Sequence, residues 1–308
     1  MKKLALSLAV AAPLAVNAET IEIEKPEFYG KINVAQEFVQ QKDAGNLAQL
    51  NSNASRLGVK GTIDLDAGLT GIYQAEFEMY PDDGDKDSDR TFAQRNTYIG
   101  IKSAYGTLQA GIFDTPFKKA QKKVDLFNDL QGDIKHIISD SENRAKNSVQ
   151  YTSPEFAGLT VKVDHINSED EEINNGLSAS LAYQRGDIYL AYAYDTDVSD
   201  EGTEAQRVAG QYSIGLVQLG ALWETQDDGV DSKDGWMASA KVKVASKVSL
   251  KAQYGASDIK EEGGVTYSLG ADYKLTKVAK TFVYATSEES DDESVNAQYY
   301  GVGLEYKF

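Results

Sequence analysis

The sequence of 308 residues contains no cysteine, few prolines (five) and only two histidines. The absence of cysteine excludes disulfides and thiolate metal sites. Basic residues are also scarce, since 31 Lys and Arg stand against 48 Asp and Glu, which gives a formal net charge of -17. A chain this acidic cannot neutralise phosphate backbones, so we expect no nucleic acid among its partners. With 41% hydrophobic residues, however, the chain is too apolar to be disordered.

Long hydrophobic runs are missing as well, apart from one at the N-terminus. Two lysines precede an apolar run at residues 4–16, which ends in a small-residue cleavage site at residue 18. This run is too short to span a bilayer, so we predict a signal peptide at 1–18 and a single domain at 19–308. No later stretch is long enough for a transmembrane helix, which leaves a soluble protein or a β-barrel, whose strands carry a weaker hydropathy signal.

Apolar and polar residues alternate with period two along most of the chain. In the stretch 56–65, for example, Leu57, Val59 and Ile63 share one face while Arg56 and Lys60 lie on the other. Such alternation is typical of strands with one apolar and one polar face. It predicts sixteen strands, at roughly 28–40, 54–66, 69–80, 91–102, 105–114, 147–152, 158–166, 177–185, 188–196, 204–213, 216–226, 235–244, 248–258, 264–274, 278–287 and 296–308.

The connections between these strands fall into two alternating classes. Seven are short, such as SAYG at 103–106, and eight are longer and mostly acidic, including 41–53, PDDGDKDSD at 81–89 and the connection at 115–146. Short turns at one end and long loops at the other are characteristic of outer-membrane barrels, and in lipid only a closed barrel satisfies every strand's backbone. We therefore predict an all-β fold, a transmembrane antiparallel β-barrel of 16 strands. A secreted sandwich or solenoid is the alternative.

The longest connection, 115–146, follows the fifth predicted strand. A barrel of sixteen strands leaves an aqueous channel, and a loop of this length usually has a function, so we predict a long third loop folded into the pore. Apolar residues from Phe117 to Phe127 recur at helical spacing and would rest on the wall. Three carboxylates would then face the water path: Asp125, Asp129 and Asp133. The alternative is a solvated surface helix.

Basic residues of the barrel wall would face this loop. Lys31, Arg56 and Lys60 lie on the polar parity of the first two strands, whereas the pattern does not orient Arg95 and Arg144. A basic wall opposite an acidic loop would produce a transverse field that filters solutes by size, polarity and charge. Each basic residue by itself could equally be an ordinary solvated side chain of the lumen.

Catalytic and metal-binding patterns are lacking. A general base would have to come from His136 or His165, and the neighbouring Asp164 points to the opposite face of its strand from His165. No G-x-S-x-G motif occurs, and the acidic stretch 81–89 lacks a glycine and a distal glutamate at calcium-loop spacing. We therefore predict no enzyme activity, no cofactor and no metal site. An adhesive or structural role of the acidic external loops remains the alternative to a channel.

Five stretches resemble the general-diffusion porins of Gram-negative outer membranes: PEFYGKINV at 26–34, the stretches 55–78, 95–130 and 142–159, and YYGVGLEYKF at 299–308. The resemblance implies a sixteen-stranded barrel, usually a homotrimer, with the third external loop in the pore and no enzymatic activity. It also implies that Arg56 and Lys60 belong to the basic wall and 114–133 to the constriction loop. Ile112 stands where family members often have Arg.

Together these features predict an outer-membrane channel for passive diffusion of small hydrophilic solutes and ions. We expect a preference for cations, because acidic loops concentrate positive counter-ions. Outer-membrane lipid and lipopolysaccharide would surround the barrel. The amphipathic strand at 296–308 would pair with the first strand, and the resemblance implies that its aromatic residues Tyr306 and Phe308 are a signal for the outer-membrane assembly machinery.

Overall fold

The computed structural model describes residues 25–42, 45–83, 92–260, 263–291 and 295–308, so the predicted signal peptide lies outside the described residues. Within them the chain forms eighteen strands and two short helices. In chain order these are β1 (Glu27–Gln41), β2 (Gly45–Ser52), β3 (Arg56–Asp64), β4 (Thr70–Met79), β5 (Phe92–Gln94), β6 (Thr97–Ser103), β7 (Gly106–Asp114), α1 (Pro116–Ala120), α2 (Ile134–Ile137), β8 (Arg144–Thr152), β9 (Leu159–Ile166), β10 (Gly176–Arg185), β11 (Ile188–Thr196), β12 (Glu204–Ile214), β13 (Val217–Asp227), β14 (Ser232–Lys243), β15 (Val248–Ser257), β16 (Gly264–Lys274), β17 (Ala279–Glu289) and β18 (Asn296–Lys307).

The strands close into one antiparallel barrel. Neighbouring strands pair in sequence order, and β1 pairs with β18 from Lys31 opposite Lys307 to Gln41 opposite Ala297. Both β2 and β3 pair with β1, and both β5 and β6 pair with β4, so each of these two pairs is one barrel strand with a short interruption. The eighteen segments therefore make sixteen barrel strands, which confirms the predicted fold class.

The two faces of the barrel wall differ as the alternation predicts. On the outer face apolar side chains stand exposed, such as Phe28 (78%), Ile99 (70%) and Leu269 (64%). The residues between them on the inner face are polar or small and mostly buried, such as Ser178 and Ala209. This distribution places the apolar face against lipid and the polar face towards the lumen.

The predicted first long connection is wrong. The sequence predicts a long first connection at 41–53, but β2 starts at Gly45 and continues the hairpin with β1. Its polar residues, among them Gln49 and Asn51, donate hydrogen bonds to Glu37 on the inner face, and this polarity hides the strand pattern. Strand β8 begins at Arg144, three residues before the predicted start at 147, and a bulge between Ala145 and Ser148 places one extra residue of β8 opposite the stretch of β7 from Gly111 to Phe113.

The predicted helix between 117 and 127 is only partly present. Helix α1 covers one turn, capped by the Thr115 side chain, which accepts a hydrogen bond from the Lys118 N–H, and it ends before Lys122, whose φ is 50°. A second single turn, α2, was not predicted. No helix in the described part of the chain has the length and hydropathy needed to cross a bilayer. Residues 84–89 of the predicted acidic loop lie outside the described residues.

Candidate functional site

Residues 115–143 link β7 to β8, and this β7–β8 connection packs its apolar side chains against the inner face of the wall. Phe117 and Ala120 contact β11 and β12 at a cluster that includes Tyr189, while Val124 and the isoleucines around α2 contact β12, β13 and β14. Phe127 and Leu130 reach β17 and β1. The Phe117 N–H also donates to Ser178 Oγ of β10 at 3.1 Å, so the connection follows the inner wall from β10 round to β1, away from β3 to β6.

Arg207 of β12 is the centre of the polar contacts that hold the β7–β8 connection. It is completely buried and lies over the Phe117 ring, with its guanidinium carbon 4.3 Å from the ring centroid. Its Nη2 lies 2.6 Å from Glu224 Oε2 on the wall, and its Nη1 lies 2.7 Å from Glu142 Oε1 on the connection. Nη2 also donates to Ser139 Oγ at 2.9 Å, so one guanidinium joins the wall to both ends of the connection.

Wall side chains also satisfy the irregular backbone of the connection. The Tyr189 hydroxyl donates to the Ala120 carbonyl at 2.9 Å, and Ser257 Oγ donates to the Ile138 carbonyl at 2.9 Å. The Gln253 side chain donates to the Gly132 carbonyl at 2.8 Å and accepts from the Leu126 N–H at 2.8 Å. Buried backbone groups outside regular secondary structure need such partners, so the wall and the connection are matched to each other.

Two of the three predicted acidic residues do not face water. Asp125 and Asp133 are each 3% exposed, so the expectation that their carboxylates line the water path is wrong. Asp125 accepts the N–H groups of Phe127 and Ile134, and Asp133 caps α2 by accepting the Lys135 N–H. Both carboxylates therefore organise the backbone of the connection. Burial, together with the Asp133 carboxylate, raises the pKa of Asp125 to about 7.

Asp129 is the predicted acidic residue that meets the facing wall. Its Oδ2 lies 2.8 Å from Lys31 Nζ on β1. Burial by itself would raise the pKa of Asp129, but Lys31, with weaker contributions from Arg56 and Arg95, outweighs burial and lowers it. Asp129 is therefore ionised at neutral pH and ties the connection to β1.

Four of the five predicted basic residues lie together, and we call them the basic cluster: Lys31, Arg56, Lys60 and Arg95. They line a cavity of about 410 Å³ beside the β7–β8 connection. Six basic residues line this cavity, the basic cluster with Lys119 and Lys307, against two acidic ones, Glu76 and Asp114. The fifth predicted residue, Arg144, lies at the edge, where its Nη2 is 2.9 Å from Asp114 Oδ1.

Acidic residues of β4 hold the basic cluster in place, and the sequence analysis missed them. Glu76 accepts from Arg95 Nε at 2.9 Å and from the Tyr29 hydroxyl at 3.0 Å, and lies 3.9 Å from Arg56 Nε. Glu78 pairs with the other end of the Arg95 guanidinium. The signal was available, because both glutamates lie on the polar parity of β4 and Glu78 is directly opposite Arg56 in the register.

A closed sixteen-stranded barrel with an apolar outer face and a charged inner face belongs to the class of transmembrane β-barrels with a polar lumen. The chain belongs to the family described as Gram-negative porin, whose model matches residues 5–293. It is therefore an outer-membrane porin.

Individual relatives are distant but cover most of the chain. It is 26% identical to the major outer membrane protein P.IB of Neisseria meningitidis, with 100% of each chain covered. In fold it is similar to an anion-selective porin from Comamonas acidovorans, with a TM-score of 0.76 at 19% identity over 92% of this chain and 99% of that one. It also resembles the trimer form of OmpT, an outer membrane protein of Vibrio cholerae, with a TM-score of 0.71 at 18% identity over 92% and 99%.

Proposed function

We propose that the protein forms a water-filled channel for passive diffusion of small hydrophilic solutes and ions, and that the β7–β8 connection narrows it. The observation that carries the proposal is the cavity of about 410 Å³ on the inner wall, to which this connection contributes Lys119. The connection occupies the inner face from β10 to β1. Solutes would therefore pass beside the basic cluster on the remaining part of the wall.

Charge selectivity at this narrow region should differ from the preference that the net charge suggests. The acidic surplus is concentrated in external connections such as 167–175, whose sequence is NSEDEEINN. The cavity itself is lined by six basic and two acidic residues. The exposed charges of the β7–β8 connection are also mostly lysines: Lys119, Lys122, Lys123 and Lys135, with Asp140. We therefore infer a preference for anions rather than the expected preference for cations, because the nearest fixed charges dominate in a narrow pore. A related fold described as an anion-selective porin supports this inference.

Planar-bilayer recordings test both parts of the proposal. Folded protein should give large, steady, ohmic conductance steps, and the absence of conductance would refute a channel. In a tenfold KCl gradient the reversal potential should have the sign of anion selectivity, whereas a cation-selective potential would refute the second part.

A matched pair of variants assigns the selectivity to the basic cluster. Arg56→Gln removes one charge that lines the cavity, so it should shift the reversal potential towards cations. Arg185→Gln removes the same charge from an exposed site at the short-turn end of β10, outside this cavity, and should leave the potential unchanged. Equal shifts in the two variants would show that total charge, rather than the lining, sets selectivity.

We also propose that the protein assembles as a homotrimer. A similar solved structure described as a trimer form supports this. Light scattering of detergent-solubilised protein should give three chains per particle, and conductance steps should occur in groups of three. A single chain per particle with single steps would contradict the proposal.

A further inference from the structure

A second group of basic residues lies at the end of the barrel that carries the short turns, which is the periplasmic end in bacterial outer-membrane barrels. Seven lysines from β14 to β18 and the two turns among them, which we call the mouth lysines, line a cavity of about 470 Å³: Lys241, Lys243, Lys247, Lys274, Lys277, Lys280 and Lys307. Only two carboxylates line it, those of Asp272 and Glu305. The proposed narrowing of the channel does not require this group.

The two carboxylates do not balance the mouth lysines. Asp272 lies 3.9 Å from Lys241 and 4.0 Å from Lys280, and Glu305 lies 3.3 Å from Lys307. The remaining four lysines make no ion pair with any residue that the structure describes: Lys243, Lys247, Lys274 and Lys277. Seven positive charges around two negative ones leave a surplus of five, and a bound anion would lower the resulting repulsion.

The register places lysines directly opposite each other on neighbouring strands. Lys274 is opposite Lys280 and Lys241 is opposite Lys251. Like charges at directly opposite positions destabilise a sheet. Lys251 has a carboxylate partner in Asp272, whereas Lys274, opposite Lys280, makes no ion pair with any residue that the structure describes. The carboxylates supplied by the chain are too few, which points to negative charge from solution.

The mouth lysines face the lumen rather than lipid. Lys241, Lys274 and Lys280 lie on the inner face of their strands. Their neighbours in the sequence have the opposite orientation, as Tyr273 does, which is exposed on the outer face next to Lys274. The cavity offers further donors in the hydroxyls of Ser246, Ser249 and Thr276. Ammonium and hydroxyl groups that converge from several sides suit an anion with many oxygens.

This cavity also adjoins the one beside the basic cluster, because Lys307 lines both. An anion held by the mouth lysines would therefore lie next to the basic cluster and reduce conduction through the channel. Monovalent ions gain little from seven dispersed charges, whereas a compact anion with several charges interacts with many of them at once.

We propose that the mouth lysines form a binding site for compact multivalent oxyanions, such as short polyphosphates, dissolved in the periplasm. The proposal goes beyond the proposed diffusion function and depends on it only for the effect on conductance. Binding is measurable without conduction, so failure of this site and failure of the channel are distinguishable.

Titration calorimetry of the detergent-solubilised protein with tripolyphosphate tests the site directly. Wild type should bind, and Lys274→Gln combined with Lys277→Gln should bind about tenfold more weakly, because two charges close to a multivalent anion are lost. The control combines Lys146→Gln with Lys233→Gln, which removes two lysines at the opposite end of the barrel, on β8 and β14. It should bind as wild type does. No binding by wild type, or equal weakening in both double variants, would overturn the proposal.

Two further measurements test from which side of the bilayer the anion binds, and whether the ligand is a dissolved anion or a lipid headgroup. Tripolyphosphate added on the short-turn side of a bilayer should reduce the current at lower concentration than on the other side, and equal potency from both sides would contradict the location. Phosphatidylglycerol added to the micelles should leave tripolyphosphate affinity unchanged. Competition by this lipid would assign the lysines to headgroups and overturn a site for dissolved anions.

Discussion

The contacts of Arg207 lead to a sharp prediction about the β7–β8 connection. Replacing Arg207 with Met keeps much of the side-chain volume but removes the positive charge between Glu224 and Glu142. It also removes the hydrogen bond to Ser139 and the contact with the Phe117 ring. We expect the connection to detach from the wall far more often in this variant while the barrel stays closed, since the sheet pairings of β12 are unchanged.

The size of the effect follows from burial. The side chains of Arg207 and Glu224 are 0% exposed and that of Glu142 is 5% exposed, so the substitution leaves two buried carboxylates without a counter-charge. Removing one partner of a buried ion pair destabilises the folded state by about 3–5 kcal/mol. If detachment of the connection relieves that cost, the detached fraction rises roughly 10²–10⁴-fold.

Limited proteolysis measures the detached fraction. The connection contains several lysines at which trypsin can cut, including Lys122, Lys123 and Lys135, and cleavage follows the open population when closing is fast. Arg207→Met should be cut there much faster than wild type, with noisier single-channel currents. Adding Glu142→Gln and Glu224→Gln removes the buried charges and should restore much of the protection. Wild-type cleavage rates and quiet currents in Arg207→Met would refute the reasoning.

Three other perturbations have defined outcomes. Because the folded-state pKa of Asp129 lies below its ordinary value of 3.8, its ion pair with Lys31 should stabilise the connection at neutral and mildly acidic pH and be lost as the pH falls through the lower folded pKa. Asp129→Asn should therefore show, at pH 7, the channel noise that wild type shows only in strong acid. Gly301→Val should lower the midpoint of thermal unfolding by the equivalent of about 1–3 kcal/mol, because a Cβ at Gly301 would lie 2.1 Å from the Tyr284 ring. Removing Phe308 should reduce the yield of assembled barrel in the outer membrane much more than the conductance of the barrels that form.

Each of these predictions has a contradicting result. If wild type already shows the channel noise at pH 5, the noise does not depend on the ionisation of Asp129, and the prediction is contradicted. Gly210→Val is the control for Gly301→Val, because its Cβ would approach no atom closer than 3.3 Å, and an equal loss of stability in both would contradict the steric argument. Normal insertion without Phe308 would contradict an assembly role for this residue.

The barrel could be predicted because each wall strand has lipid on one side and polar surroundings on the other. Because of that contrast, apolar residues recur at every second position of a strand, as Leu57, Val59 and Ile63 do. It fails at β2, where polar residues such as Asn46 and Gln49 dominate and the pattern looks like a loop. It also fails at the bulge in β8 between Ala145 and Ser148, where one extra residue interrupts the alternation.

The candidate site was predictable only where it belongs to the wall. Lys31, Arg56 and Lys60 share a parity on paired strands, so their proximity follows from the register. The orientation of Asp133 does not follow from its neighbours in the sequence, because a helix cap and a solvated loop aspartate have the same local pattern. The role of Arg207 depends on Glu142, 65 residues away in a connection whose path the sequence does not specify.

The pairing of β1 with β18 has a consequence for the order in which the molecule forms. Lys31 pairs with Lys307, and the backbone of Gly30 exchanges two hydrogen bonds with Phe308, so the closing seam joins segments from opposite ends of the described chain. Contacts between such distant segments form slowly. Until they form, both edge strands carry unpaired backbone groups that can capture another chain. We therefore expect the seam to be the last part of the wall to form, and the nascent barrel to be most exposed to aggregation while its two edges are still open.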